Sequence, residues 1–345
     1  MKRTRSTRIT GLDGLRTLAL LGVLFYHAFP TKIKGGYFGV VLFFVISGFL
    51  TAYSSARKNT PVLPYYGKRL LRIYPALILM LFISTEAVAL ADMFKLMNAH
   101  EEIASVLLGY NNYWQIAKKA DYFADLANTS AFTHLWYIAI LVQFEVIWPW
   151  LNKLCQRRNG LLILSVITVV SMFIMPIRAL FTDASATVLY YATDTRIHAL
   201  LLGALAGMFV SRIGPLRLQR LPSLIITVLF LITTILLYLF VPGTNMNVYR
   251  FGLVLYALFC TLMVLVCAYR RNRIGCWLDL PICRFLSKYS YEIYLWQYPV
   301  MFVCGILKFN TNILHWLLQI VIIMILSMWT NTFVGALQKR LAGKS

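Results

Sequence analysis

Two ionisable side chains stand in the run GLDGLRTLALLGVLFYHAFP, residues 11 to 30: Arg16 inside one end and His27 near the other. They are eleven residues apart, which at 100° per residue returns them to nearly the same helical face, about 16 Å apart along the axis. A guanidinium recognises oxyanions, and an imidazole with an ordinary pKa of about 6.5 can serve as a general base or a transient acyl carrier. Blander readings exist: Arg16 can snorkel to one interface or pair with Asp13, and His27 can sit at the other interface beside Tyr26. A charge inside a membrane helix costs on the order of 2.5–3.5 kcal/mol on insertion scales, so both groups are functional candidates.

Three further stretches have the same character. PYYGKRLLRIYP (64–75) sets Arg69 and Arg72 three residues apart on one face, where two planar guanidiniums suit a phosphate-bearing ligand; a plain basic stop on a membrane helix explains them as well. THLWYIAILVQFEVIWPW (133–150) places His134 and Glu145 eleven apart, hence on a common face; Glu145 is a candidate acid–base group or a carboxylate snorkelling near Lys153. YYATDTRIHALLLG (190–203) holds Asp194 and Arg196 at a helix start with His198 just inside, and capping accounts for the aspartate. The chain has no Gly-x-Ser-x-Gly elbow, phosphate-binding loop or dinucleotide fingerprint. The cysteines at 155, 260, 267, 276, 283 and 304 form no CxxC pair and read as reduced, structural thiols, so no metal site is expected.

The elements that must position these groups are membrane helices. Of 345 residues 60% are hydrophobic and only 13% charged, too little polar surface for a soluble globule. The net charge of +21 comes in short patches between apolar runs, which points to membrane topology rather than to a nucleic-acid partner. Runs of spanning length occur at about 12–29, 36–54, 73–91, 133–151, 160–177, 196–210, 222–241, 251–268, 289–307 and 314–334. The first imitates a signal peptide but is long, carries Arg16 and His27 and lacks a small-residue cleavage site, so it reads as a retained span. Alternation from a cytoplasmic N-terminus puts 23 of the 33 Lys and Arg on the inner side and eight outside, which predicts ten spans with both termini cytoplasmic. The longest connection, 92–132, is aromatic and mildly amphipathic, and is expected to lie on the outer surface or to fold into short helices of its own. No separate soluble domain is expected.

Taken in order, LDGLRTLALLGVLFYH, GGYFGVVLFFVISGFL, KRLLRIYP, HLWYIAILVQFEVIWP, YYATDTRIHALLLGAL and LSKYSYEIYLWQYPVM resemble the successive motifs of the acyltransferase-3 family of integral membrane acyltransferases, over about 9 to 330. The TDTR and SYEIYLWQYP segments are most similar to the membrane domain of bacterial peptidoglycan O-acetyltransferases. The resemblance implies one membrane domain over 1–345 in the bacterial cytoplasmic membrane; no extracellular SGNH-type domain of the kind some members carry is expected within it, so the chain reads as a standalone acyltransferase, a truncated membrane domain or one half of a pair. It also implies transfer of an acyl group, commonly acetyl, from cytoplasmic acetyl-CoA to a hydroxyl of a cell-surface glycan such as peptidoglycan. No permanently bound cofactor is implied.

By the same resemblance Arg16 and His27 match the first-helix pair, Arg69 and Arg72 the pair serving the acyl-CoA side, and Arg196 the arginine of the later motif; His134 and Gln297 join them as substrate-binding candidates. Leu141 and Val142 stand where the family commonly has carboxylates, with Glu145 one turn on, and Gln297 stands where many members have a second histidine. Glutamine can hydrogen-bond but cannot shuttle a proton at neutral pH. The RFIETP-like ending of the last helix is absent from SMWTNTFVGALQKR. Two other functions fit the same residues: a transporter of an acyl group or glycan precursor, and a membrane partner of a separate SGNH-type acceptor enzyme.

Overall fold

In hydrocarbon the backbone finds no water to bond, so apolar runs of this length close their own hydrogen bonds as helices. The computed structural model describes residues 9–57, 61–96, 99–119, 123, 130–215, 218–268 and 278–342, and among these there is no strand. The helices are α1 Leu12–Ala28, α2 Phe38–Arg57, α3 Val62–Asp92, α4 Ala99–Leu107, α5 Asn111–Ala117, α6 Trp136–Cys155, α7 Gly160–Phe181, α8 Ala186–Tyr191, α9 Thr193–Arg212, α10 Arg220–Phe240, α11 Leu253–Ala268, α12 Pro281–Lys288, α13 Ser290–Ile306 and α14 Ile313–Ala342.

Every predicted apolar run is helical, and among the described residues seven helices are long and apolar enough to cross a membrane: α2, α3, α6, α7, α10, α11 with the π-helical turn before it, and α14. The other three runs are α1 and α13, of 17 residues each, and α9, whose 20 residues include Asp194, Arg196 and His198. Most of α9 is buried by protein, whereas only 28% of the apolar window of α10 and 22% of that of α14 are covered. A helix surrounded by other helices is free to carry polar groups, while one facing lipid is not.

The tightest crossing joins α2 to α9. A Cβ on Gly48 would stand 2.0 Å from the Leu200 carbonyl oxygen, and one on Gly203 would stand 2.0 Å from that of Val45, so only glycine allows this approach. Gly203 and Gly207 form a small-xxx-small face of the kind that packs membrane helices by backbone contact.

Two elements differ from their sequence expectation. The third helix begins at Val62 and runs 31 residues with Pro75 inside it, so Arg69 and Arg72 lie well within a helix and not at its start. The 92–132 connection does form short helices, α4 and α5, but with an inverted face: Glu102, Ser105, Asn111, Asn112 and Gln115 are buried, while Leu108 and Tyr113 are exposed. Gln143 explains the inversion. Its amide donates to the Gly109 carbonyl (2.8 Å) and to Asn112 Oδ1 (3.0 Å), and Asn112 in turn donates to the Tyr191 carbonyl and Thr193 Oγ1. Buried polar groups satisfied in this way tie the connection to α6 and α9.

Candidate active site

A cavity of about 1130 Å³ opens between α1, α2, α3, α6, α12, α13 and α14, slightly above the roughly 300–1,000 Å³ usual for small-molecule sites. Arg16, Arg69, Arg72 and Glu145, which come from three separate stretches of sequence, all line it. Arg284 and Lys288 line it too. Arg16 lines the cavity together with Tyr291 and Glu292 of α13, and His27, eleven residues further along α1, lies against Gln297 and Tyr298 of the same helix.

The two α3 guanidiniums differ in their surroundings. Arg69 Nε lies 3.1 Å from Glu145 Oε2, and its Nη2 donates to Thr51 Oγ1 (3.1 Å), which itself donates to Glu145 Oε1 (2.9 Å). The Tyr65 hydroxyl donates to Glu145 Oε2, and the Arg69 guanidinium sits 5.2 Å from the centre of the Tyr65 ring. Both oxygens of Glu145 are therefore engaged, and a carboxylate only 6% exposed is stabilised where it would otherwise be costly. Arg72, one turn on, is exposed on the cavity wall.

The second cluster lies beyond the cavity. His27 Nδ1 is 3.1 Å from Gln297 Oε1; with the amide in this orientation its oxygen accepts from Nδ1–H, which leaves the acceptor lone pair on Nε2. The Tyr298 ring stands edge-on to His27 at 4.9 Å and stacks on His134 at 5.2 Å. His134 is buried, its Nε2 donates to the Leu295 carbonyl (3.2 Å), and its own carbonyl accepts from the Tyr294 hydroxyl. Between cluster and cavity stand Phe43, Tyr137 and Tyr294, which line the cavity and contact one another at 5.2 to 6.5 Å between ring centres.

Arg196 does not line the cavity. It is 1% exposed, with its guanidinium 4.7 Å from the Tyr190 ring centre and about 6 Å from those of Phe44 and Trp136. The close α2–α9 crossing puts it there. Sequence reasoning missed Thr51, Tyr65, Tyr294 and Tyr298, whose partners are 80 or more positions away or whose aromatic character is ordinary in a membrane chain. It counted Arg284 and Lys288 only as topological charge, although their four-residue spacing puts them on one helical face.

Outside the spans, Glu102 accepts from Gln115 Nε2 (2.8 Å) and from the Ser130 hydroxyl. Burial pushes its carboxyl up to about 7, against the opposing pull of those two hydrogen bonds. Among the described residues no group of three or more His, Cys, Asp or Glu is placed to hold a metal ion.

A helical membrane bundle with a basic cavity at one end of its central helices and a histidine cluster further along them is suited to joining an anionic ligand to proton-transfer or acyl chemistry. A family model described as an acyltransferase domain matches residues 9–332, and the chain belongs to this family, the acyltransferase-3 proteins. It is similar to the protein named "Putative peptidoglycan O-acetyltransferase YrhL" of Bacillus subtilis, with 29% identity over 94% of this chain and 54% of that one. It is also similar to O-acetyltransferase OatA of Staphylococcus aureus, with 26% identity over 85% of this chain and 50% of the relative. The chain thus spans about half the length of these curated relatives. No solved structure matches it.

Proposed function

We propose that this chain is a membrane O-acetyltransferase that takes acetyl from cytoplasmic acetyl-CoA and delivers it to a hydroxyl of a cell-surface glycan, with peptidoglycan the first acceptor to test. Membership of the acyltransferase family and the names of the relatives support the reaction class. The observation that carries the direction of transfer is that Arg16, Arg69 and Arg72 share one cavity while His27 lies eleven residues further along α1.

On this reading α1, α2, α3, α6, α7, α9, α10, α11, α13 and α14 cross the bacterial cytoplasmic membrane, both termini are cytoplasmic, and the basic cavity faces inward, as the positive-inside rule favours. The donor's phosphates rest against Arg72 and Arg16. Glu145, with both oxygens engaged, holds Arg69 in the cavity wall rather than taking a proton. The thioester passes the Phe43, Tyr137 and Tyr294 rings to reach His27. There the acceptor oxygen bonds to the acetyl carbon as the carbon–sulfur bond breaks. His27 takes the hydroxyl proton at Nε2 and returns it to the departing thiolate, while Gln297 fixes the ring by accepting from Nδ1. If His27 instead carries the acetyl, Nε2 is the attacking atom and rapid quenching traps an acetyl-protein. Arg196 acts on substrate only through the aromatic rings around it, and His134 by supporting Tyr298.

The test is acetyl-CoA cleavage and acetylation of a glycan acceptor by purified protein in proteoliposomes. A transporter would leave acetyl-CoA intact, and a membrane partner would consume it only together with a co-purifying SGNH-type enzyme. Either result would replace the proposal.

A further inference from the structure

The short helix α12 is fastened to the inner end of α1 far more closely than a topological signal requires. The Gly11 amide donates to Asp279 Oδ1 (3.0 Å), Thr17 Oγ1 donates to the Cys283 carbonyl (3.0 Å), and Ser287 Oγ donates to Asp13 Oδ1 (2.6 Å). At Gly14 a Cβ would stand 2.2 Å from the Leu278 carbonyl oxygen, so glycine is needed for the segment entering α12 to lie on α1. The fastening has one evident result: Arg284 and Lys288, four residues apart, become part of the wall of the cavity that holds Arg16, Arg69 and Arg72.

Both α12 cations are exposed, and the bonds that steady them go to neutral acceptors: Arg284 Nε donates to the Asp279 carbonyl (2.9 Å) and Lys288 Nζ to the Tyr289 hydroxyl (3.0 Å). Lys288 Nζ also lies 4.7 Å from the Tyr289 ring centre. A lysine or arginine that serves only to orient the chain works anywhere on the inner surface. Two held by side-chain, backbone and ring contacts on a cavity wall are arranged for an anion inside it. The cavity therefore carries its cations in two groups on different elements, Arg69 and Arg72 on α3 and Arg284 and Lys288 on α12, with Arg16 of α1 lining it as well. A ligand with one phosphate group needs only one of them. A ligand with two separated phosphate groups uses both, and acyl-CoA is of that class, with a pyrophosphate and a ribose 3′-phosphate.

We propose that Arg284 and Lys288 form a second anion subsite, which takes the ribose 3′-phosphate of the acyl-CoA donor while Arg16 and Arg72 face the pyrophosphate. This rests on the donor reading given above. A phosphate group at this point could also belong to an anionic lipid at the inner interface, and the experiment separates the two sources.

The measurement is equilibrium binding of CoA and of 3′-dephospho-CoA to the purified full chain in phosphatidylcholine nanodiscs. Charged hydrogen bonds of about 1.5–3 kcal/mol correspond to a preference for CoA of roughly ten- to hundredfold. The double variant Arg284→Gln with Lys288→Gln should lose that preference and keep its affinity for 3′-dephospho-CoA, and the charge-preserving Arg284→Lys with Lys288→Arg should retain most of it. Wild-type protein that binds both nucleotides equally overturns the subsite and leaves the donor reading standing, as does a double variant that weakens both equally. Wild-type protein that binds neither overturns the donor reading and the subsite with it. Repeating the assay with phosphatidylglycerol in the nanodiscs tests the lipid source: competition by that lipid, with no CoA preference in its absence, overturns the proposal.

Discussion

The basic cavity and the histidine cluster are built in opposite ways on the same central helices. The cavity is open, and its charges are sorted by how firmly each is held: Arg69 is locked to Glu145, Thr51 and Tyr65, while Arg72, Arg284 and Lys288 are exposed on its walls. The histidine cluster is closed by rings and ordered by hydrogen bonds from His27 to Gln297 and from His134 to the Leu295 carbonyl. An anion-binding region benefits from exposed, hydrated cations, since desolvating them without a partner is costly. A proton-transfer region benefits from a fixed tautomer and excluded water.

The largest effect should come from the closed side. His27→Ala is expected to lower turnover about 10²- to 10⁴-fold while leaving acetyl-CoA affinity at the cavity unchanged. Single-turnover kinetics beside a binding isotherm checks this, and a matching loss of affinity would mean that the two regions are one site. Next comes the contrast within the cavity. Arg69→Ala strips a buried carboxylate of its counter-ion and should destabilise the fold by about 3–5 kcal/mol. Arg72→Ala should leave the melting temperature alone and weaken nucleotide binding. Equal thermal shifts for the two variants would erase the distinction between anchored and exposed cations.

A smaller effect is expected at Glu102, which lies on neither site but pins the connection between α3 and α6. Its folded-state pKa of about 7 lies above the unfolded value of 4.5, so the fold binds more protons than the unfolded chain between those values. Stability should therefore fall as pH rises through that window and level off above it, by roughly 3 kcal/mol in total. Glu102→Gln should flatten the profile, which thermal unfolding at pH 5 and pH 8 will show. The smallest change concerns Gln297. Gln297→Leu removes the Nδ1 acceptor and should cost about 1–3 kcal/mol in catalysis, read as a fall in kcat with KM for acetyl-CoA constant. Should KM rise instead, Gln297 contacts the donor and the closed cluster is part of the cavity.

Much of this arrangement was legible beforehand. Arg16 and His27 share a face because helical periodicity holds wherever a helix forms; His27 meets Gln297 of α13, and Arg16 lines the cavity to which α13 also contributes. The start of α3 was misplaced because the stretch around PYYGKR is polar enough to look like a loop, yet it continues the helix as one wall of a basic cavity. Arg196 is a ligand candidate through the family resemblance; the close backbone approaches of Gly48 to Leu200 and of Gly203 to Val45 set it among Phe44, Trp136 and Tyr190. Glu145 was noticed as an expensive carboxylate, but its partners come from α2 and α3, 94 and 80 positions away, and no local pattern encodes such pairings.

By itself, then, the sequence determined that this chain is a bundle of apolar helices and which of their side chains are costly enough to need a reason. Both follow from one-dimensional rules: backbone saturation in hydrocarbon and the free-energy cost of charge there. Only the tertiary structure decided which costly groups meet. It joined Arg16, Arg69, Arg72 and Glu145 with the two cations of α12, set His27 against Gln297, and left Arg196 among rings, because close helix crossings at glycines, rather than spacing along the chain, govern what stands opposite what.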